Sequence, residues 1–215
     1  MARTRNALMR AAERLFAARP PDTVTIDELS EAADVAKASF YNHFKGKGDL
    51  VQAVAEDIRQ DNSALITRAN RGVTNPASRI ARALCVNARY AAEHRDRAAV
   101  LIRYFEDFST HYVVDAPRLA PNLFRDIDQG LREQIFQDVR PEVGIMLVVG
   151  ITNETMEAVL EKQTDAAMIA ELAAGLLRSL GVARASALNM ARRAVTEILD
   201  DATLLVGATR TARVA

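Results

Sequence analysis

Lys37, Ser39, Tyr41, Asn42, His43 and Lys47 crowd amines, hydroxyls, an amide and an imidazole into one short stretch of the chain. Such groups hydrogen-bond to base edges and phosphate oxygens of duplex DNA. Phe40 and Phe44 are four residues apart within it. A helix through the stretch therefore turns both rings inward and leaves the polar groups outward. Lys37, Ala38, Ser39 and Asn42 are the candidates for base-edge contact. Thr25, Tyr41, His43 and Lys47 suit phosphates, which would set the register on the duplex.

A short helix needs support to be held against DNA. Thr25 and Glu28 have capping-box spacing, so a helix is predicted to start there, with Ile26, Leu29, Ala32 and Ala33 on one face. The turn Asp34-Val35-Ala36 follows, and a second helix begins near Lys37. The pair reads as a helix-turn-helix. Upstream, Leu8, Ala11, Ala12, Leu15 and Phe16 form an apolar stripe on a first helix that Pro20-Pro21 stops. Residues 1–48 thus make a three-helix DNA-binding domain.

The order Thr25, Leu29, Ala32-Ala33, Val35, then Ser39-Phe40-Tyr41-Asn42-His43-Phe44-Lys45, then Lys47 and Asp49-Leu50, resembles the DNA-binding domain of TetR-type transcriptional regulators. Asp34 stands where that family commonly has Gly, and Ala36 where it often has Ser or Thr. Asp tolerates left-handed backbone angles better than most residues, so the turn is kept. Ala36 removes a side-chain cap or phosphate contact.

Composition bounds the rest. The chain has 215 residues, 28 basic and 28 acidic, for a formal net charge of zero. A generic polyanion binder would carry excess positive charge. Recognition must then be local, with Arg3, Arg5, Arg10, Lys37, Lys45 and Lys47 bracketing the motif. A single Cys85 allows no internal disulfide and fits a reducing compartment. No signal-like segment opens the chain, and the apolar run 143–151 falls short of the roughly 20 residues a membrane helix needs. A cytoplasmic protein without membrane partners is expected.

Helical periodicity continues to the carboxy terminus, giving an all-α fold. Residues 49–71 form a long helix that leaves the DNA-binding unit without a linker, with Gly72 able to cap it. Pro76 opens a fifth helix, residues 98–108 a sixth, and a loop with Pro117 and Pro121 precedes a seventh running through Phe136. Pro141 opens an eighth helix, Asp165 begins a ninth that Gly181 ends, and residues 188–205 form the last. Residues 49–206 make the larger domain, and 207–215 a tail without periodicity.

Two faces stand out in that domain. Tyr90, Tyr104, Phe105, Phe108, Tyr112, Phe124 and Phe136 concentrate the aromatic residues, which fill cores but also line apolar pockets. In TetR-like proteins the corresponding helices enclose an inducer cavity. The resemblance therefore implies a small-molecule effector here, with Arg103, Glu106, Asp107 and Asn122 as polar handles. The eighth helix is apolar all round its early turns, so it must be covered on both sides. Val143, Leu147, Val148 and Ile151, with Leu172 and Leu176 of the ninth, make a candidate homodimer interface, which the resemblance also implies. Two recognition helices would then read operator half-sites roughly 34 Å apart.

An enzyme is the weaker alternative. His111 follows Asp107 and Glu106 at helical spacing, but a metal site takes three or four converging ligands. Cys85 sits among apolar residues, and Gly46 and Gly48 do not form a strand-to-helix phosphate loop. No catalytic residue, metal or cofactor is assigned. A ligand-responsive repressor is expected, with a constitutive DNA-binding dimer around a filled core as the competing reading.

Overall fold

A computed structural model of the chain describes residues 2–107 and 120–199. The described residues contain helices and no strand. Helix α1 (Ala2–Ala18) leads through a single 3-10 turn (Pro21–Thr23) to α2 (Ile26–Ala32) and α3 (Lys37–Tyr41). Then follow α4 (Lys47–Ala69), α5 (Pro76–Glu93), α6 (Arg95–Asp107), α7 (Pro121–Arg132), α8 (Pro141–Leu160), α9 (Ala166–Ser179) and α10 (Arg184–Ile198).

Helix ends follow local chemistry. The Thr25 hydroxyl accepts from Glu28 N–H at 3.2 Å, and Glu28 Oε2 accepts from Thr25 N–H at 2.8 Å, a complete capping box. Asn75 and Asp165 cap α5 and α9 by accepting from Ser78 and Met168 N–H. Pro76, Pro121 and Pro141 occupy first turns, where a missing N–H costs nothing. Pro121 thus starts α7 and does not belong to a loop before it. Phe136 lies beyond the end of α7, in the turn that follows, and packs over Gly130. Helix α4 starts two residues before the expected Asp49, whose carboxylate accepts from Lys45 N–H at 3.0 Å.

Helix α5 is the hub of the larger domain. Its buried Ala77, Ala81, Ala88 and Ala91 let α4, α6, α7, α8, α9 and α10 approach closely. Ala187, Ala191, Ala194 and Ile198 of α10 are buried against this hub and α9, so the last helix covers the core. It ends at Ile198, short of the expected 205; residues from 200 onward lie outside the described residues.

Helix α8 is long and apolar enough, by length and composition, to cross a membrane. In the fold its Ile145, Val148, Met156 and Val159 are buried, and it packs on α5, α6, α7 and α9. Two residues expected at a dimer interface are buried within their own chain instead. Val148 is 7 % exposed and Leu176 not at all. Covering by the same chain thus accounts for part of the all-round apolarity. Val143, Leu147, Ile151 and Leu172 are half-buried.

Gly181 has φ of +90°, and a Cβ there would meet Gln137 backbone atoms at 2.6 Å. The close approach accompanies the hydrogen bond from Gln137 N–H to Leu180 O at 3.0 Å. Gly181→Ala combines left-handed strain with backbone overlap, for an expected loss of roughly 2–5 kcal/mol. Urea unfolding should show this as a lower midpoint at unchanged slope.

Candidate DNA-binding surface and ligand cavity

The sharp turn between α2 and α3 rests on Asp34, whose φ is +53°, the left-handed region expected of it. Ala36 precedes α3 without any side-chain cap. Phe40 and Phe44 are buried with ring centroids 5.8 Å apart, and the Arg5 guanidinium stands 5.3 Å from the Phe44 ring. This packing fixes the outward side of α3. Lys37, Ala38, Tyr41 and Asn42 are exposed there, as is Thr25 at the start of α2; Ser39, His43 and Lys47 are half-buried. Tyr41 stands edge-on to Phe40 and remains 54 % exposed.

The two lysines are already engaged. Lys37 Nζ pairs with Asp27 at 2.7 Å, a hydrogen bond that raises its pKa. Lys47 Nζ donates to Asp22 O at 2.9 Å, tying the start of α4 to the 3-10 turn. Both contacts lie on the surface, where such pairs are weak and readily exchanged for a phosphate. Arg3, Arg5, Arg10 and Lys45 are exposed on the same small domain.

The domains meet along α1, α4 and α6. Arg97 on α6 reaches Asp57 at 2.8 Å, Asp61 at 3.9 Å and Glu13 at 4.0 Å, joining α4 and α1 through one guanidinium. Burial raises the Glu13 pKa, with Arg97 opposing. Arg103 Nη1 donates to Phe16 O at 2.7 Å, so α6 holds α1 at a second point.

A cavity of about 130 Å³ lies in the larger domain. Its wall combines Arg59, Asn62, Ser63 and Ile66 of α4 with Ile80 and Asn87 of α5, Leu101 of α6, Asn122 and Asp126 of α7, and Val148, Thr152 and Met156 of α8. Asp126 is 5 % exposed and bonded to Arg79 at 2.8 Å; burial nevertheless lifts its carboxyl above the ordinary range.

Of the aromatic residues expected to line a pocket, the described Tyr90, Phe124 and Phe136 do not line this one. Tyr90 is buried at the domain junction with its ring 4.9 Å from His94, and burial pushes its phenol up to about 12. Phe124 is 40 % exposed, and Phe136 covers Gly130. Phe108 and Tyr112 lie outside the described residues, as do the side chains of Tyr104, Phe105, Glu106 and Asp107. Of the polar handles, Asn122 lines the cavity, while Arg103 serves the domain junction. Sequence reasoning missed Asn62, though a signal existed: it interrupts the stripe Val54, Ile58, Ile66 at four-residue spacing. Among the described residues no three metal-ligating side chains converge, and buried Cys85 has its thiol pushed up to about 12 by burial.

Residues 8–54 match the family described as bacterial regulatory proteins, tetR family. Residues 75–193 match the tetracyclin repressor-like C-terminal domain. The chain belongs to the TetR family. It is a transcriptional regulator with an amino-terminal helix-turn-helix and a helical carboxy-terminal domain. The HTH-type transcriptional regulator TtgR of Pseudomonas putida is 34 % identical over 62 residues, 29 % of this chain and 30 % of that protein. The match thus spans less than a third of the curated relative's length. The crystal structure of RolR in complex with the ligand resorcinol is 27 % identical, covering 88 % of this chain and 93 % of that one, with a TM-score of 0.61. A gamma-butyrolactone receptor (ArpA-like protein) shares the fold at 20 % identity and a TM-score of 0.65, covering 90 % of this chain and 97 % of that one.

The capping box makes α2 acid-sensitive. The Arg19 side chain at 2.5 Å, then the Thr25 N–H and hydroxyl, hold the Glu28 pKa down to about 2 from 4.5. A depressed carboxyl contributes stability that is complete above about 4.5 and disappears as pH falls through about 2. Glu28→Gln keeps the cap geometry but loses the charge. It should be less stable at neutral pH and flatter between those two pH values in a thermal-midpoint titration; identical slopes in both proteins would contradict this.

Proposed function

We propose that the protein is a ligand-responsive repressor that acts in the cytoplasm as a homodimer on a palindromic operator. One observation carries this reading. Helix α4 buries Leu50 and Val54 near its start and, farther along, lines the cavity with Arg59, Asn62, Ser63 and Ile66. A molecule seated in the cavity therefore bears directly on the rod that leaves the helix-turn-helix. A ligand preferring the DNA-incompetent arrangement a hundredfold supplies about 2.7 kcal/mol of coupling. The cavity favours this over a constitutive dimer with a filled core, and the resorcinol bound to RolR is consistent with a small effector. No catalytic role is assigned.

Residues 1–48 form the DNA-binding unit and 49–206 the ligand-binding and dimerisation unit in this proposal. Lys37, Ala38, Ser39 and Asn42 read base edges; Thr25, Tyr41, His43 and Lys47 hold phosphates. Dimerisation uses the outer faces of α8 and α9. Met146 is 62 % exposed and Met168 41 %, beside half-buried Val143, Leu147 and Leu172. Open space at Gly150 and Gly175 leaves room for a partner's backbone.

Selection of bound sequences from random duplex DNA should return two inverted half-sites about one helical turn apart. A small-molecule library should contain compounds that release the selected duplex; no sequence preference at moderate salt would refute the operator reading. Met146→Glu is expected to give monomers in sedimentation while leaving helicity unchanged, because its side chain faces outward. A persistent dimer would reject this interface.

A further inference from the structure

Asn62 occupies a position on α4 flanked one turn on either side by Ile58 and Ile66. It is 7 % exposed, it lines the cavity, and among the described residues no group accepts a hydrogen bond from its Nδ2. Stranding a buried amide donor is unfavourable, and an aliphatic side chain would fill the same stripe position without that penalty. The donor therefore needs a partner that enters the cavity.

The charges around it are matched. Asp126 is held by Arg79, whose remaining N–H groups go to Val73 O, Thr74 O and Gln129 Oε1. Arg59 is bonded to Glu56 at 2.7 Å. An ionic ligand would enter as an unpaired buried charge. Size narrows the choice further. The volume of about 130 Å³ is close to that of apolar cavities, about 150 Å³, that accommodate a single benzene ring.

We propose that the cavity takes an uncharged ligand the size of one ring, whose hydroxyl or carbonyl oxygen accepts a hydrogen bond from Asn62 Nδ2. The ring lies against Ile80, Leu101, Val148 and Met156, and the hydrogen bond registers its presence on α4. This rests on the ligand-responsive reading and adds the chemical class and the sensing residue. Asn62 lies 12 residues beyond Leu50, about 18 Å along the same helix, so the contact acts on the rod itself.

Calorimetry on the full chain with phenol, toluene and benzoate tests it. Phenol should bind at least tenfold more tightly than benzoate. Asn62→Leu should weaken phenol about tenfold and leave toluene binding intact or stronger, with release of the selected duplex by phenol lost in parallel. Asn62→Ala serves the same comparison should Asn62→Leu lack the native helical spectrum. Equal phenol affinity in wild type and variant overturns the role of Asn62. Preference for benzoate, or for toluene in the wild type, overturns the ligand class. Binding by none of the three overturns the inference as a whole, whereas the library release experiment decides the broader reading independently.

Discussion

Everything in this molecule turns on α4 being one unbroken helix that packs in both domains at once. Its early buried residues, Leu50 and Val54, complete the packing of the helix-turn-helix, and its later ones face the larger domain. A helix has no soft joint unless a proline, glycine pair or bulge supplies one. Nothing between Leu50 and Ala69 does so. Displacement at the cavity end must therefore reorient the DNA-binding end or be absorbed by the contacts that hold it.

Polar contacts cross between the domains beside an apolar core that continues from one into the other. Arg97 gathers Glu13, Asp57 and Asp61, and Arg103 takes the carbonyl of Phe16. Ion pairs of this kind lose little when they shift by an ångström, unlike interdigitated apolar side chains, which resist any displacement. By contrast, the Arg79–Asp126 pair is deep in the larger domain, with the guanidinium fully committed to four acceptors. Breaking it would leave a buried charge, so it anchors the cavity wall and is poorly suited to switching.

Local signals were read well from the chain because their chemistry is local. Thr25 with Glu28, Asn75 with Pro76, Asp165, Asp34 and Gly181 each fix a helix end or turn through bonds spanning a few residues. Three of the expected aromatics, Tyr90, Phe124 and Phe136, lie away from the cavity for the opposite reason. Tyr90 and Phe136 are where large rings are needed to fill space, at the domain junction and over Gly130, whereas the described cavity wall is made of aliphatic, amide, hydroxyl and charged side chains. Counting aromatics cannot tell a filled space from an open one. The apolar surround of α8 likewise left undecided how much of it belongs to its own chain.

The order of residues alone determined that this chain is helical, which capping and turn residues mark several helix ends, and that a polar helical face follows a tight turn. Those properties depend on periodicity, capping and backbone strain, all set within a turn or two. Only the tertiary structure decided that Asn62 is buried without an acceptor among the described residues, that Val148 faces a cavity, and that Lys37 is held by Asp27. Each of these depends on which distant side chains arrive at the same point, and packing in three dimensions settles that.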